Sequence, residues 1–454
     1  MNEGPHPQVP SPEVQRRTSG EGESPISLDA LVFALLCAAY LPMRFIIPTP
    51  PVIPGSVPAT VLLIVAVMSY FVLDLIAARS VRARRRVLRG KWVLVAISIG
   101  VITLAPLLLN ILARQQSAPQ LYAHDGMIQT EAAAQFVLVG KNPYVESYAL
   151  TPMALAPFDV KGITVNPALE HFAYLPLTFL LPLPVQAALG DSFDLRYVHL
   201  AFFIAMLLVA TRLTQNPQKR LLLVMALGLN PLFVGPLIEG RNDVMVLSWL
   251  IFTWTLLQRG KIAASAVTLA LACGTKHPAV VFVPFYFVYL SYGGTWRERA
   301  QRVQKPFLIW AGLAVLIIAP WFLLNPNAFI DDTVSYLNGT SAASYPISGF
   351  SSGMLFVSLG LLLSNMAQFP FGVVQIAIGL PAIYWLLRRQ WRTPNLPAAI
   401  AGFAIMLFIS QFFSRIFNDN YLGLIIAIMA VAALMDAATT RAPIPVGQTT
   451  VRLQ

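Results

Sequence analysis

The sequence is short of charge, and above all of acid. Only 11% of its 454 residues are Asp, Glu, Lys or Arg, against about 25% in soluble domains. So few charges cannot cover a water-facing surface, which excludes an ordinary soluble domain. Cysteine is nearly absent: Cys37 and Cys273 stand alone inside apolar segments. That excludes a disulfide framework or a thiolate metal centre, and both read as small apolar fillers. The first 27 residues lack an apolar core and are rich in Pro, Glu and Ser, so they read as a disordered tail and not as a cleaved leader. No convincing internal repeat is present.

What fills the chain is hydrophobic residues, 57% of the total. Many windows of roughly 20 residues carry no charge, the length that spans a hydrocarbon core. The net charge of +11 is no sign of nucleic-acid binding, because its distribution is topological. Arg79, Arg82, Arg84, Arg85, Arg86, Arg89 and Lys91 cluster between two apolar runs, and the positive-inside rule puts that cluster in the cytoplasm. Leu28–Ile47 and Val57–Ala77 then form a hairpin, Trp92–Leu112 runs outward, and the loop beginning at Ala113 is extracytoplasmic.

Parity constrains the rest. Between that loop and Lys219/Arg220 lie two apolar runs, but the crossings must be odd in number. Phe172–Leu189 is the one expected not to cross, since Pro176, Pro182 and Pro184 break it. Ser352–Met366 is expected, by the same count, to be a short embedded helix. The expectation is an all-α polytopic membrane protein of about twelve transmembrane helices, with interfacial helices in the first large extracytoplasmic loop. It divides into a tail (1–27), a transmembrane hairpin with its basic loop (28–91), a catalytic transmembrane module (92–324) containing the outer loop 113–194, a C-terminal transmembrane module (325–437) and a second tail (438–454).

This topology sorts ionisable residues by side. Lys and Arg fall mostly inside. Arg241, Lys276 and Arg415 are exceptions, converging on the face that positive-inside statistics deplete. Ionisable groups at membrane depth are functional candidates, and outward-facing cations suit a phosphate-bearing lipid. An isolated carboxylate near them suits a general base. Asp125 is that carboxylate: it opens a helical stretch, Met127–Val139, with Ile128, Ala132, Gln135/Phe136 and Val139 on one period. Its bland alternative is a helix N-cap. Gly140 is a natural C-terminal cap, and Asn142-Pro143 turns the chain. His277 joins the candidate phosphate ligands; His124, Glu131, Asn142, Tyr144, Tyr174 and Asp243 are the candidate acceptor or sugar ligands.

His124-Asp125-Gly126, Gly140-Lys141-Asn142-Pro143-Tyr144, Tyr174-Leu175-Pro176, Gly240-Arg241-Asn242-Asp243, Lys276-His277-Pro278 and the Arg415…Tyr421 pair, in this order over roughly residues 90 to 436, resemble the membrane glycosyltransferases of the C superfamily (GT-C). The chain looks most like the bacterial alpha-(1,2)-mannosyltransferase-like branch, which includes the phosphatidylinositol mannoside enzymes. The resemblance implies inverting transfer of a hexose, mannose being the commonest, from a polyprenyl-phosphate sugar to a lipid or glycan hydroxyl outside the bacterial plasma membrane. Asp125 would be the base; Arg415, Lys276 and Arg241 would hold the donor phosphate. No Asp-x-Asp pair accompanies Asp125, so no cofactor or divalent metal is expected. The hairpin before Trp92 departs from the family pattern. A transporter or flippase of lipid-linked substrates, or a ligase using a lipid pyrophosphate, are the competing readings.

Overall fold

In the computed structural model, residues 26–40, 56–79, 83–116, 123–156, 158, 163 and 165–437 are described. Nearly all ordered structure is helical; the described strands are a two-residue parallel pair, β1 (Ser348–Gly349) and β2 (Ile416–Phe417). The part of the first apolar run beyond Tyr40, Arg82 and nearly all of both tails lie outside the described residues.

The N-terminal hairpin is α1 (Leu28–Ala38) and α2 (Ser56–Arg79). The basic cluster does not form a separate loop throughout: Arg84, Arg85, Arg86 and Arg89 open α3 (Arg84–Ile99), which runs through a π turn at Gly100–Leu104 into α4 (Ala105–Gln116). Lys91 leaves the cluster altogether. It is buried between α1 and α2, 2.6 Å from Asp29 and paired also with Asp74, with its ammonium over the Tyr70 ring. Charge alone places it in a cytoplasmic loop; two acids from neighbouring helices draw it inside instead.

Next come α5 (Asp125–Leu138) and the broken segment, which is two short helices, α6 (Leu177–Leu180) and α7 (Leu183–Leu189). Pro182 separates them, as the sequence leads one to expect. α5 is not the amphipathic surface helix its spacing suggests. Met127, Gln129 and Thr130 are buried along with Ile128 and Ala132, because the outer segment folds over it. Tyr144, Tyr148, Phe172, Phe179 and Phe329 build a second core there, separate from the main helical one.

The remaining helices are α8 (Arg196–Ala210), α9 (Pro217–Gly228), α10 (Pro231–Glu239), α11 (Asp243–Gln258), α12 (Ile262–Thr275), α13 (Val283–Leu290), α14 (Trp296–Leu324), α15 (Ser352–Ser358), α16 (Phe371–Arg392), α17 (Leu396–Phe412) and α18 (Asp419–Leu434), with the short helices Pro326–Ile330 and Tyr336–Asn338 between α14 and α15. Asparagine starts several of them. Asn216, Asn230, Asn325 and Asn395 each accept a hydrogen bond from an amide two or three residues on, and a proline at N1 or N2 follows each, where its missing N–H costs nothing. The Asn230-Pro231 pair breaks the apolar run Leu221–Ile238 into α9 and α10, bent by 46°. The expected embedded helix Ser352–Met366 is helical only to Ser358; Gly360 has a left-handed φ of 72°, and an irregular apolar loop follows.

Four described helices are long and apolar enough to cross a membrane: Val57–Ala77, Arg84–Gln116, Trp296–Leu324 and Phe371–Arg392. The bent α9–α10 pair makes a fifth, and seven shorter apolar helices pack among them. The architecture is that of an all-α membrane protein.

Candidate active site

The site is built where the N-terminus of α5 meets the loop after α10. His124 is extended and its amide donates to the Glu239 carbonyl at 2.8 Å, which stitches the two segments together. Asp125 therefore begins the helix one residue after the cap, and not as the cap. Its Oδ1 lies 2.8 Å from His124 Nδ1 and accepts from the Gly126 amide at 2.6 Å. The Gly126 amide is also 3.0 Å from His124 Nδ1. Nδ1 cannot both accept that amide and bond a carboxylate. Two electronegative atoms at 2.8 Å need a proton between them, so Nδ1–H donates to Asp125 and the amide belongs to Oδ1.

Both donors converge on Oδ1, which leaves Oδ2 for the cavity. Burial raises the carboxyl's pKa, but His124, the Gly126 amide and Arg241 outweigh it and lower it to about 2. The positive end of the helix acts in the same direction.

Gly126 is required by space. A Cβ there would fall 2.1 Å from the Tyr174 hydroxyl oxygen. We expect Gly126→Ala to cost about 1–3 kcal/mol by overpacking, read as a lowered Tm. Because the clash is with one oxygen, the double variant Gly126→Ala/Tyr174→Phe should recover most of the loss; an equally low Tm for both would refute the steric cause.

The cations come from two helix ends. Gly240 ends α10 with a left-handed φ of 90°, a conformation glycine adopts freely, and this turns Arg241 toward the site. Arg241 Nη1 donates to Asp419 at 2.8 Å and to Asn420 at 3.2 Å, and its Nε donates to Glu239 at 2.9 Å. Lys276 stands in extended backbone between α12 and the turn at His277–Phe282. Its ammonium lies 2.8 Å from Asp243 and over the Tyr421 ring, 4.6 Å from the centroid. Asn420 donates to the other Asp243 oxygen at 2.7 Å.

These groups surround one cavity of about 330 Å³, lined among others by His124, Asp125, Tyr174, Arg241, Lys276 and His277. That is the lower end of the roughly 300–1,000 Å³ typical of small-molecule sites. Six sequence candidates thus share one space. Asp243 lies behind the wall as the partner of Lys276.

Four candidates are elsewhere. Glu131 is bound to Arg114 at 2.6 Å and accepts from the Leu195 amide at 2.8 Å, inside a network that continues through Asp194 to Arg196. Asn142 accepts from the Tyr144 amide, and the Tyr144 hydroxyl donates to the Tyr174 carbonyl at 2.8 Å. Both position the cavity wall from behind. Arg415 is 1% exposed and donates to the carbonyls of Tyr345, Ala367 and Asn365. Its guanidinium faces the loop before α16 and is absent from the cavity lining.

The cavity also uses residues to which the sequence assigned no role: Gln129, Tyr336 and Tyr345, with Asn418 and Asn420 from within the Arg415…Tyr421 stretch. Gln129 had a signal, since it lies four residues after Asp125 and so on the same helix face. Tyr345 and Asn418 come from loops and Tyr336 and Asn420 from helix starts, none with a periodic mark.

One described cluster has metal-type donors: ligand atoms of His171, Asp331 and Asp332 lie within 4.8 Å of one another. They already satisfy each other. His171 bonds Asp332 at 2.9 Å, the Phe172 amide donates to Asp332, and Ser341 donates to Asp331. The cluster closes the second core and stands outside the cavity lining.

No family model matches the chain. A similarity to one curated protein was found, covering 37% of that protein's length and 40% of this chain. Over those 194 residues the chain is 24% identical to alpha-(1->6)-mannopyranosyltransferase A of Mycobacterium tuberculosis.

Proposed function

We propose that this chain is a membrane glycosyltransferase that moves a hexose, mannose first among the candidates, from a polyprenyl-phosphate sugar to an acceptor hydroxyl on the extracytoplasmic side, with inversion. The observation that carries the reading is the cavity itself: one carboxylate oxygen with no hydrogen-bond partner among the described residues shares it with a lysine and an arginine. The distant mannosyltransferase similarity supports sugar transfer in general. We further read twelve crossings, five from the long helices and the bent pair and seven from the shorter apolar helices, with both termini cytoplasmic.

In the step, the acceptor oxygen bonds the anomeric carbon as the bond from that carbon to the phosphate oxygen breaks. The hydroxyl proton passes to Asp125 Oδ2, and polyprenyl phosphate leaves with the bonding pair. Asp125 is a weak base, so the proton moves late, after the forming bond has acidified the hydroxyl. The leaving phosphate gains negative charge, and preformed cations are most effective against charge that develops. Lys276 is enclosed and already oriented by Asp243. Arg241 reaches the phosphate by releasing Asp419, whose side chain is 42% exposed and rehydrates at little cost. With four acids around two cations, phosphate must displace an acid rather than fall into a positive well.

The test is full-length protein in proteoliposomes with radiolabelled polyprenyl-phosphate mannose, glucose or arabinose and a membrane lipid and glycan extract. A new labelled lipid or glycan, with polyprenyl phosphate released, is expected. Label that crosses the bilayer without a new product would instead establish transport.

A further inference from the structure

Residues 333–387 contain no Asp, Glu, Lys, Arg or His. The stretch enters the long apolar helix α16 directly. Before α16 it forms an irregular loop whose side chains are apolar yet uncovered: Leu361 is 69% exposed and Leu363 is 101% exposed. Soluble surfaces rarely leave such runs bare. Irregular backbone at membrane depth needs its carbonyls satisfied by protein, and Arg415 does this. All three of its donating nitrogens end on carbonyls of this stretch, at Tyr345, Asn365 and Ala367. The parallel β1–β2 pairing holds the same stretch beside Arg415, in the register Ser348 to Ile416. The enclosure is tight: a Cβ on Gly339 would come within 2.5 Å of the guanidinium.

The root of this loop belongs to the cavity. Tyr345 lines it, and so does Gln375 of α16. We infer that residues 350–369 form an apolar lip inserted into the hydrocarbon of the leaflet beside the cavity, and that Arg415 is the positioning residue that fixes the lip by its backbone. The occupant of this surface is lipid. A substrate with a long isoprenoid tail would then enter the cavity along the lip, a consequence that rests on the proposed function, whereas the insertion does not.

The insertion is read without turnover. Leu363→Cys is labelled with an environment-sensitive NBD probe in phosphatidylethanolamine/phosphatidylglycerol proteoliposomes; Cys37 and Cys273 are buried and stay unlabelled. Spin-labelled lipid is expected to remove most of the emission and aqueous iodide little of it. Emission quenched mainly by iodide overturns the lip. Adding Arg415→Gln should raise iodide quenching severalfold, and an unchanged depth overturns the pinning. Should that variant not fold, Leu361→Gln/Leu363→Gln alters only exposed positions. It should raise KM for a long-chain lipid-linked donor about tenfold with kcat and the short-chain donor little changed. Equal effects on both donors would overturn the entry route.

Discussion

Asp125→Asn should lower transfer by about 10²–10⁴-fold, the range that a positioned general base supplies, while the protein still inserts and folds. The amide keeps the carboxyl's shape but cannot take the acceptor proton. Initial rates at saturating donor are the measurement, with donor binding as the control. Near-normal turnover would remove Asp125 from the mechanism. The pH profile gives a second check. With its carboxyl lowered to about 2, Asp125 stays ionised throughout any practical acid range, so an acidic limb in kcat must come from another group. The stability sign follows. A depressed carboxyl contributes fully above its unfolded value near 3.8 and loses that contribution only as pH falls through about 2. Asp125→Asn should therefore remove some stability at neutral pH as well as the activity.

The second large effect is expected at Lys276. Lys276→Met leaves the Asp243 carboxylate, 2% exposed, with Asn420 but without a cation. Removing one partner of a buried pair costs about 3–5 kcal/mol, which thermal unfolding in detergent measures. Neutralising both partners in Asp243→Asn/Lys276→Met removes the stranded charge, so most of that loss should return. Transfer should not return with it, because the leaving phosphate still lacks its fixed cation. A double variant that regains both stability and turnover would show that Lys276 serves the fold alone.

Much of this site could be read from the sequence because charge is scarce. In a chain that is 11% charged, each ionisable residue at a helix end is conspicuous. Asp125, Arg241 and Lys276 declared themselves in that way and do share a cavity. Arg415 was equally conspicuous, but its partners are main-chain carbonyls, and no residue type marks them. Sequence placed the cation at the correct end of its segment and could not aim it. Glu131 misled for a geometric reason. Six residues after Asp125 it is turned well away around the helix, whereas Gln129, four residues on, stays on the cavity face. The helices themselves were legible from their apolar runs, and their ends from Asn-Pro and Gly. The kink at Asn230-Pro231 and the unravelled segment after Ser358 were less so, since hydrophobicity reports burial in lipid and says nothing of whether the backbone bonds to itself.

The ionic knot of Lys91, Asp29 and Asp74 bears on how this polypeptide can be dissected. A shortened gene product beginning near residue 83 would keep the lysine and discard both of its acids, exposing a bare ammonium to acyl chains. The hairpin before residue 80 is thus a keyed component and no removable ornament, and a version built without it needs a neutral residue at position 91 or another acid to meet Lys91.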